Sequence, residues 1–335
     1  MPVNNIAHSL WSGVKVEIGN KVISDQTSPY PYRAYFDTIF NNSYMSLLTQ
    51  GQMTGFHYEE GTNINNADCK GEKARHTRFT RGKYFQLAMR PCVDIFQQSR
   101  NLIPGCALRV TFYLSKPNFY LRNSADGTAE FKMFIRNPRL NLLHLIPSPG
   151  YLTAVTKQLS ATTCKYHVER ETISTFDIPQ NITGTIIPNI KIGPLPKVIF
   201  VALVDSESYH GSPKTSPFNF QHFGLNYLSI EAEGVSYPTK PYEIRTSDSH
   251  WIEPYQTLLE VLQKRHMAFG ELVFDYTEWG RGYSIFAADL TPGATGRGTM
   301  SLVRQGNLSI KLKFDEPTKK VIMCLVMMVY DNIIG

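Results

Sequence analysis

Several patterns typical of enzymes and membrane proteins are missing from this sequence of 335 residues. It contains no GxxxxGK[ST] phosphate-binding loop, no GxSxG nucleophile elbow and no histidine pair at HxH or HxxxH spacing. No leader peptide pattern opens the chain. The longest apolar run, residues 321–330, is about half of the length that a membrane-spanning helix needs. We therefore expect a soluble, non-enzymatic protein, and the sequence assigns no catalytic, cofactor-binding or metal-binding residue.

Cysteine is scarce, and its arrangement argues against a disulfide framework. The chain has five cysteines, an odd number, and no two of them stand at CxxC spacing. This pattern predicts reduced thiols in an intracellular protein, in which the three N-x-[ST] sequons at Asn41, Asn181 and Asn307 arise by chance. The cysteines are Cys69, Cys92, Cys106, Cys164 and Cys324.

The formal net charge is +6, but the sequence has no block of five like charges. The densest basic stretch is residues 70–83. Two interpretations stay open: a solvated loop, or a surface that faces nucleic acid or another acidic partner. No aromatic-interleaved motif or recognition helix indicates specific readout of a nucleic acid. The cations of this stretch are Lys70, Lys73, Arg75, Arg78, Arg81 and Lys83.

Three local features resemble sites, and each has a simpler interpretation. Asp205, Glu207 and His210 could bind a divalent cation, as in a metal-assisted hydrolase, or form a solvated loop after a strand. The glycine-rich stretches 280–282 and 293–298 are predicted to be turns. His222 stands among aromatic residues and is predicted to be packed or hydrogen-bonded rather than a metal ligand.

Strands dominate the predicted structure. Residues 308–314 alternate strictly between apolar and polar, as in a strand with one buried face. Residues 198–204 are uniformly apolar, which predicts a strand covered on both faces. Further predicted strands are residues 84–93, 107–114, 131–135, 140–146, 171–178, 283–290 and 321–329. Only three helices are predicted, at residues 33–48, 150–159 and 251–264.

One pattern occurs twice in the chain. Val14, Val16 and Ile18 lead into a turn at Gly19-Asn20 and a return strand, followed by Tyr-Pro residues and a helix. Residues 228–242 repeat this order, with a turn at Glu233-Gly234, and a helix follows. A repeat with a period above 200 residues is too long for a solenoid, since solenoid repeats have about 20–50 residues. We interpret it as two copies of one β-sandwich domain.

Aromatic residues are concentrated in a predicted loop: Phe218, Phe220, Phe223 and Tyr227 occur within ten residues. Such a loop needs a partner that buries it, either elsewhere in the chain or on another subunit.

Several blocks resemble the major capsid (hexon) proteins of polintons and adintoviruses. The most specific are Tyr30-Pro31-Tyr32-Arg33-Ala34-Tyr35 and Pro217-Phe218-Asn219-Phe220. Similar stretches extend over nearly the whole chain and include residues 3–5, 9–11, 204–212, 225–228, 282–286, 289–292 and 306–308. The resemblance implies an all-β fold of two tandem jelly-roll β-sandwiches (a double jelly roll), with a few short helices in the connections. It also implies a homotrimeric capsomer that contacts neighbouring capsomers.

The same resemblance implies an icosahedral shell around double-stranded DNA, which is enclosed without sequence-specific binding. Penton and minor capsid proteins are then the expected partners, and the expected location is the virion, reached from the host cytoplasm or nucleus. Family members carry further sequence before the Val3-Asn4-Asn5 block, so we expect a truncated chain whose first sandwich is incomplete. The expected domains are residues 1–148 for the first jelly roll, 149–165 for a helical connector and 166–335 for the second jelly roll. The alternative function is a β-sandwich module that binds carbohydrate or peptide.

Overall fold

The structure is a computed structural model of the chain, and it describes residues 1–24, 27–60, 64–66, 69–79, 84–122, 132–245, 249–267, 270–291 and 302–335. Some sequence-based predictions lie outside these residues: Arg81, Lys83, Phe131 and the turn at 293–298.

Eleven strands occur in the described residues. They are β1 Trp11–Ile18, β2 Lys21–Val22, β3 Leu108–Leu114, β4 Tyr166–Ile178, β5 Gly184–Pro194, β6 Val198–Asp205, β7 Leu225–Ala232, β8 Val235–Glu243, β9 Ile285–Asp289, β10 Gln305–Phe314 and β11 Ile322–Ile334.

The helices are short and lie mostly in the connections. The α-helices are α1 Ile6–Ser9, α2 Tyr30–Asn41, α3 Tyr44–Thr49, α4 Lys70–Phe79, α5 Asp94–Gln97, α6 Pro117–Tyr120, α7 Pro149–Ala161, α8 Ser206–His210, α9 Ile252–Val261 and α10 Tyr276–Gly282. A 3₁₀ helix, Gln50–Thr54, follows α3.

The second half of the chain is a sandwich of two four-stranded antiparallel sheets. Their strand orders are β5-β10-β7-β8 and β4-β11-β6-β9. Residues 198–204 of β6 are all buried, because the strand is central in its sheet and has both faces covered. In β10 the apolar residues of 308–314 are buried while the polar ones are more accessible. Both strand predictions are confirmed.

The first half repeats the central part of this arrangement. Its one sheet in the described residues has the order β2-β1-β3, and the second half contains the matching order β8-β7-β10. In each half a long strand is flanked by its hairpin partner on one side and by a later strand on the other. A helix follows each hairpin, α2 in the first half and α9 in the second. The repeat read from the sequence is therefore a repeat of topology.

Turn chemistry explains why the second hairpin forms where it does. Glu233 and Gly234 both have positive φ, 53° and 77°. Two consecutive residues in this region give the turn whose twist matches that of the flanking strands. Glycine adopts this conformation without steric cost.

Helix α2 is buried on nearly all sides because it lies between two hydrophobic cores. One face carries Tyr32, Tyr35 and Phe36 into the main core, which fills the second sandwich. The other face carries Tyr30 and Ala34 into a smaller core beneath the three-stranded sheet. Pro31 lies in its first turn, where a helix does not need the missing N–H. The helix therefore positions the first half against the second.

Some predicted elements differ in the structure. Residues 84–93 and 140–146 form no strand, and neither does the described part of 131–135. A strand requires a neighbouring backbone to pair with, and apolar composition alone does not supply one. The predicted helix 33–48 is two helices, since Asn42 is extended and the Ser43 hydroxyl accepts the Ser46 N–H to start α3. The helices predicted at 150–159 and 251–264 are present as α7 and α9.

Candidate assembly surface

Two of the four aromatic residues predicted to need a partner are buried within the chain itself, while Phe223 and Tyr227 are partly buried. Phe218 and Phe220 are fully buried against α2. The Phe218 ring stacks on Tyr35, with centroids 4.2 Å apart, and the Phe220 ring stacks on Phe36 at 5.2 Å. This aromatic cluster joins the two halves. It leaves neither Phe218 nor Phe220 exposed for stacking on a carbohydrate.

Buried ion pairs also connect the halves. The Arg33 guanidinium donates to Asp94, and its Nε lies 3.6 Å from Oε2 of Glu171 on β4. Arg170 Nε contacts the other Asp94 oxygen at 3.3 Å. The Arg33, Asp94 and Glu171 side chains are almost fully buried. Buried charges of this kind persist only when they are paired, so the cluster fixes the position of α2.

The described part of the basic stretch is not the predicted solvated loop, and only some of its cations face solvent. Residues 70–79 form helix α4. Arg75 is buried and forms an ion pair with Glu59, and Arg78 donates to the Gln52 carbonyl. Lys70 remains exposed and pairs with Glu60 at 2.9 Å. The charges of this helix are therefore divided between internal pairing and solvent.

A second buried pair lies beside α4. Arg122 Nη1 contacts Glu72 Oε2 at 3.0 Å, and Arg122 Nη2 donates to the Lys214 carbonyl at 2.9 Å. Asn65 accepts the Ser216 N–H at 2.7 Å. These contacts join the first half to the loop after α8, so this cationic side chain also stabilises the fold.

The two carboxylates among the candidate metal ligands bind other groups of the protein. Asp205 caps α8 by accepting the Glu207 N–H at 2.9 Å, and its other oxygen binds Lys320 at 2.8 Å. Glu207 accepts the Ser212 hydroxyl at 3.1 Å. His210 lies in the last turn of α8. Within the part of the chain that the structure describes, no cluster of three His, Cys, Asp or Glu residues could hold a metal ion.

His222 is packed and hydrogen-bonded, as predicted. Its ring stacks on Trp251 with centroids 6.2 Å apart, and Nδ1 accepts the Gly224 N–H at 3.0 Å. Burial lowers the pKa of this imidazole. The residue supports the connection between β6 and β7.

The glycine stretch 280–282 closes helix α10 instead of forming a free loop. Gly280 lies against the Trp251 ring, so a larger side chain would collide with it. The prediction of a turn at 280–282 is wrong, because these residues belong to a helix. Close packing against Trp251 is the reason that residue 280 is glycine.

All five cysteines are free, in agreement with the predicted thiols. Cys69, Cys92 and Cys324 are buried, whereas Cys106 is exposed. Burial raises the pKa of the Cys324 thiol to about 12. A thiol with so little thiolate character is a poor nucleophile.

A cavity of about 370 Å³ opens at one end of the second sandwich. Four cationic side chains line it, but most have partners: Lys197 binds Glu169 and Asp331, and Arg304 donates to the Leu290 carbonyl. Lys191 lies over the Tyr330 ring, 5.8 Å from its centroid. The four cations are Arg170, Lys191, Lys197 and Arg304.

The most unusual surface of the molecule is apolar. Residues 132–165 include no buried residue, although many of them are hydrophobic. Leu143 is 91% exposed and Ile146 is 89% exposed. Soluble monomers rarely expose contiguous apolar patches of this kind, which usually mark an interaction site. The segment is therefore the candidate functional surface, and composition alone could not reveal it because the sequence predicts buried strands there.

The described helices include none that is long and apolar enough to cross a lipid bilayer.

Comparison with known proteins adds one sequence relative and a structural likeness. No family model matches the chain. It is 26% identical over 346 aligned positions to an uncharacterized protein of Caenorhabditis elegans, and the alignment covers 99% of this chain and 78% of that protein. PBCV-1 VP54, from a crystal structure fitted into a cryo-EM reconstruction of the virophage Sputnik, matches with a TM-score of 0.50 and 12% identity. That match covers 99% of this chain and 82% of VP54.

A quasi-atomic structure of the PBCV-1 virus capsid gives a TM-score of 0.48 at 13% identity, over 99% of this chain and 82% of that chain. The likeness to VP54 concerns the fold. Together with the repeated strand order, it identifies an all-β double jelly roll with short helices in the connections, as the sequence predicted.

Proposed function

We propose that this protein is a major capsid subunit, a structural component of a viral shell. The observation that carries the proposal is the repeated topology, β2-β1-β3 and β8-β7-β10, in one chain whose fold is similar to that of PBCV-1 VP54. Asp205 and Arg75 form ion pairs and Glu207 accepts a hydrogen bond from Ser212, which favours a structural role over catalysis for these groups.

The sequence resemblance supports a more specific form of the proposal. The blocks around Tyr30-Pro31-Tyr32 and Pro217-Phe218 resemble those of polinton and adintovirus hexons. By this analogy the chain forms homotrimeric capsomers of an icosahedral shell around double-stranded DNA, with penton and minor capsid proteins as neighbours. Its location is then the virion, after an intracellular phase in the host. The domains are residues 1–148, the connector 149–165 and residues 166–335.

Both specific blocks lie at one place in the structure. Tyr32 and Tyr35 of the first block contact Phe218 of the second. A double jelly roll must fix two sandwiches in one orientation before identical copies can form a shell with a regular curvature. The two most specific blocks of the resemblance thus lie where the two halves meet.

The proposal is tested by measuring the mass of the purified full chain by size-exclusion chromatography with light scattering. A trimer has three times the chain mass of 38.0 kDa, about 114 kDa. Negative-stain electron microscopy of concentrated samples is expected to show capsomer-like particles of uniform size. A stable species at the monomer mass across the concentration range, without such particles, would overturn the proposal.

A glycan array on the same sample tests the alternative of a carbohydrate-binding module. We expect no binding, because Phe218 and Phe220 are buried. A reproducible glycan signal with no assembly would favour the binding module instead.

A further inference from the structure

The exposed apolar segment has a distinctive composition. We call residues 134–161 the arm: residues 134–148, which form neither helix nor strand, followed by helix α7. Five of the seven residues 140–146 are leucine or isoleucine, so both faces of this stretch are apolar. A strand with this composition is typical of a position that is covered on both sides.

The backbone of residues 134–147 has no hydrogen-bond partner among the residues that the structure describes. Among the described backbone hydrogen bonds, none involves residues 132–147. The side chains make few contacts: Met133, just before the arm, packs on the main core, and Arg136 lies over the Tyr84 ring at 4.7 Å. The arm is therefore anchored at its base and presents a backbone that is free to pair as a strand.

Within the described part of the chain, β3 is an open sheet edge. Val16 of β1 directs both backbone groups toward β2, since Ile23 N–H donates to its carbonyl at 2.9 Å and its N–H donates to the Ser24 hydroxyl at 2.9 Å. The residues on either side of Val16 consequently face β3. In an antiparallel pair, successive residues alternate between directing their backbone groups toward the partner strand and directing them away from it. Val110 and Phe112 of β3 therefore point their N–H and C=O groups away from β1, to the open edge.

Five other strands lie at sheet edges in the described structure, and each is less suitable as an acceptor. The strand β2 has only two residues. Prolines interrupt β5 at Pro188 and β8 at Pro238 and Pro241, a common protection of edges. In β4 the Ile173 N–H is occupied by the Ser28 hydroxyl, and β9 is short and lies beside α9. The seven residues of β3 contain no proline.

We infer that the arm is donated to a second copy of this chain, in which residues 140–146 add as a strand to the open edge of β3. Both partners are seven residues long, about 23 Å as extended strands. On the inner face of the sheet, Leu108, Val110 and Phe112 are only half-buried, and an added apolar strand would cover them.

The size of the arm fits this occupant. A stable interface engages about 20–30 residues on each side. The 28 residues of the arm, with Phe134, Leu143 and Ile146 among its exposed side chains, are of that order. The inference goes beyond the proposed capsid role, because donation of a strand between two copies does not require a shell.

The first experiment removes the donor function. The double variant Leu143→Lys/Ile146→Lys places one charge on each face of the strand, at side chains that are exposed in the single chain. The matched control, Leu302→Lys/Met45→Lys, adds the same charge at exposed apolar positions outside the arm. Sedimentation equilibrium should give a dissociation constant at least tenfold higher for the arm variant and unchanged for the control. Equal effects of the two variants would overturn the inference.

The second experiment tests the pairing directly. The variant Val110→Pro removes an outward N–H at the acceptor edge. The arm variant and Val110→Pro should each be monomeric alone. An equimolar mixture of the two should give a one-to-one heterodimer, because Val110→Pro retains an intact arm and the arm variant retains an intact β3 edge. Failure of the mixture to associate, while circular dichroism shows both variants folded, would refute strand donation.

Hydrogen exchange of the unmodified chain separates the remaining outcomes. Protection of residues 140–146 that rises with protein concentration supports exchange between copies. Protection that is independent of concentration would mean that the arm folds back on its own β3, and the inference would be wrong. A trimer whose arm is unprotected would refute the inference and leave the capsid proposal standing. A dimer that is linked by the arm but never forms capsomers would support the inference and contradict the capsid proposal.

Discussion

The ring of Tyr35 lies parallel to the ring of Phe218, with their centroids 4.2 Å apart and their planes inclined by 1°. Tyr35 belongs to the helix after the first hairpin, and Phe218 belongs to the connection before the second. Both side chains are completely buried. This contact makes the two halves parts of one core, so each half depends on the other for stability.

Replacing Phe218 with alanine should therefore destabilise the whole chain. A buried phenylalanine truncated to alanine typically lowers the free energy of unfolding by about 3–5 kcal/mol, since a cavity remains. Urea denaturation followed by fluorescence and by circular dichroism measures the loss. Leu302→Ala is the control, because Leu302 is 93% exposed and lies outside the arm, and its effect should be within about 0.5 kcal/mol. A loss below about 1 kcal/mol for Phe218→Ala would show that the halves are not coupled.

A substitution of Tyr32, in the same aromatic cluster, should stabilise the chain, whereas Phe218→Ala destabilises it. Its hydroxyl oxygen is buried and has no hydrogen-bond partner in the described structure, and burial raises its pKa well above the ordinary value. An unsatisfied buried polar group costs about 1–3 kcal/mol, so Tyr32→Phe should raise the free energy of unfolding by about 1 kcal/mol. Tyr242→Phe is the comparison: that hydroxyl donates to the Ala287 carbonyl at 2.7 Å, and its removal should lower stability. Thermal denaturation of both variants tests the predicted difference in sign.

Arg33 should be far more important for stability than an exposed cation. Its guanidinium is buried between Asp94 and Glu171, and Arg33→Met would leave two buried carboxylates without it. Breaking a buried pair in this way typically costs about 3–5 kcal/mol. Lys15→Met, which removes the more accessible 2.7 Å pair with Glu17, should cost at most about 1 kcal/mol. Similar unfolding free energies for the two variants would contradict this account of how α2 is held.

The sequence predicted the fold better than it predicted the surfaces. Strict alternation in 308–314 and the uniform apolar run 198–204 identify strands because their burial patterns follow from local periodicity. The hairpin at Glu233-Gly234 was also predictable, since its turn residues specify the backbone. Strand β5 was missed, because Pro188 and Asn189 interrupt its apolar pattern.

The candidate surface could not be predicted, for a different physical reason. Residues 140–146 have the composition of a buried strand, yet burial depends on whether a neighbouring backbone is present, which no local pattern reports. In the same way, Arg75 counts as one of several cations in a basic stretch until the fold places Glu59 beside it. Sequence periodicity predicts helices and strands. Residues that are distant in the sequence determine whether a given side chain is buried in a contact or exposed at the surface.

His8 should make the protein less stable in mild acid. Its ring is buried on α1, with Nδ1 3.0 Å from the Tyr30 hydroxyl. Burial lowers its pKa from 6.5 to about 4, although Asp37 opposes the shift. As the pH falls below 6.5, the unfolded chain binds a proton that the folded chain does not accept. Stability is therefore complete above this pH and declines as the pH falls toward 4, by about 2 kcal/mol between pH 7.5 and 5.

Urea denaturation across this range should show a smaller pH-dependent loss for His8→Gln than for the unmodified chain. Part of the loss should remain, since burial and the nearby Arg75 also lower the pKa of His57 to about 4. His76→Gln is the control, because His76 is exposed, and it should retain the full pH dependence. The same pH dependence in His8→Gln as in this control would exclude His8 as a source of acid sensitivity.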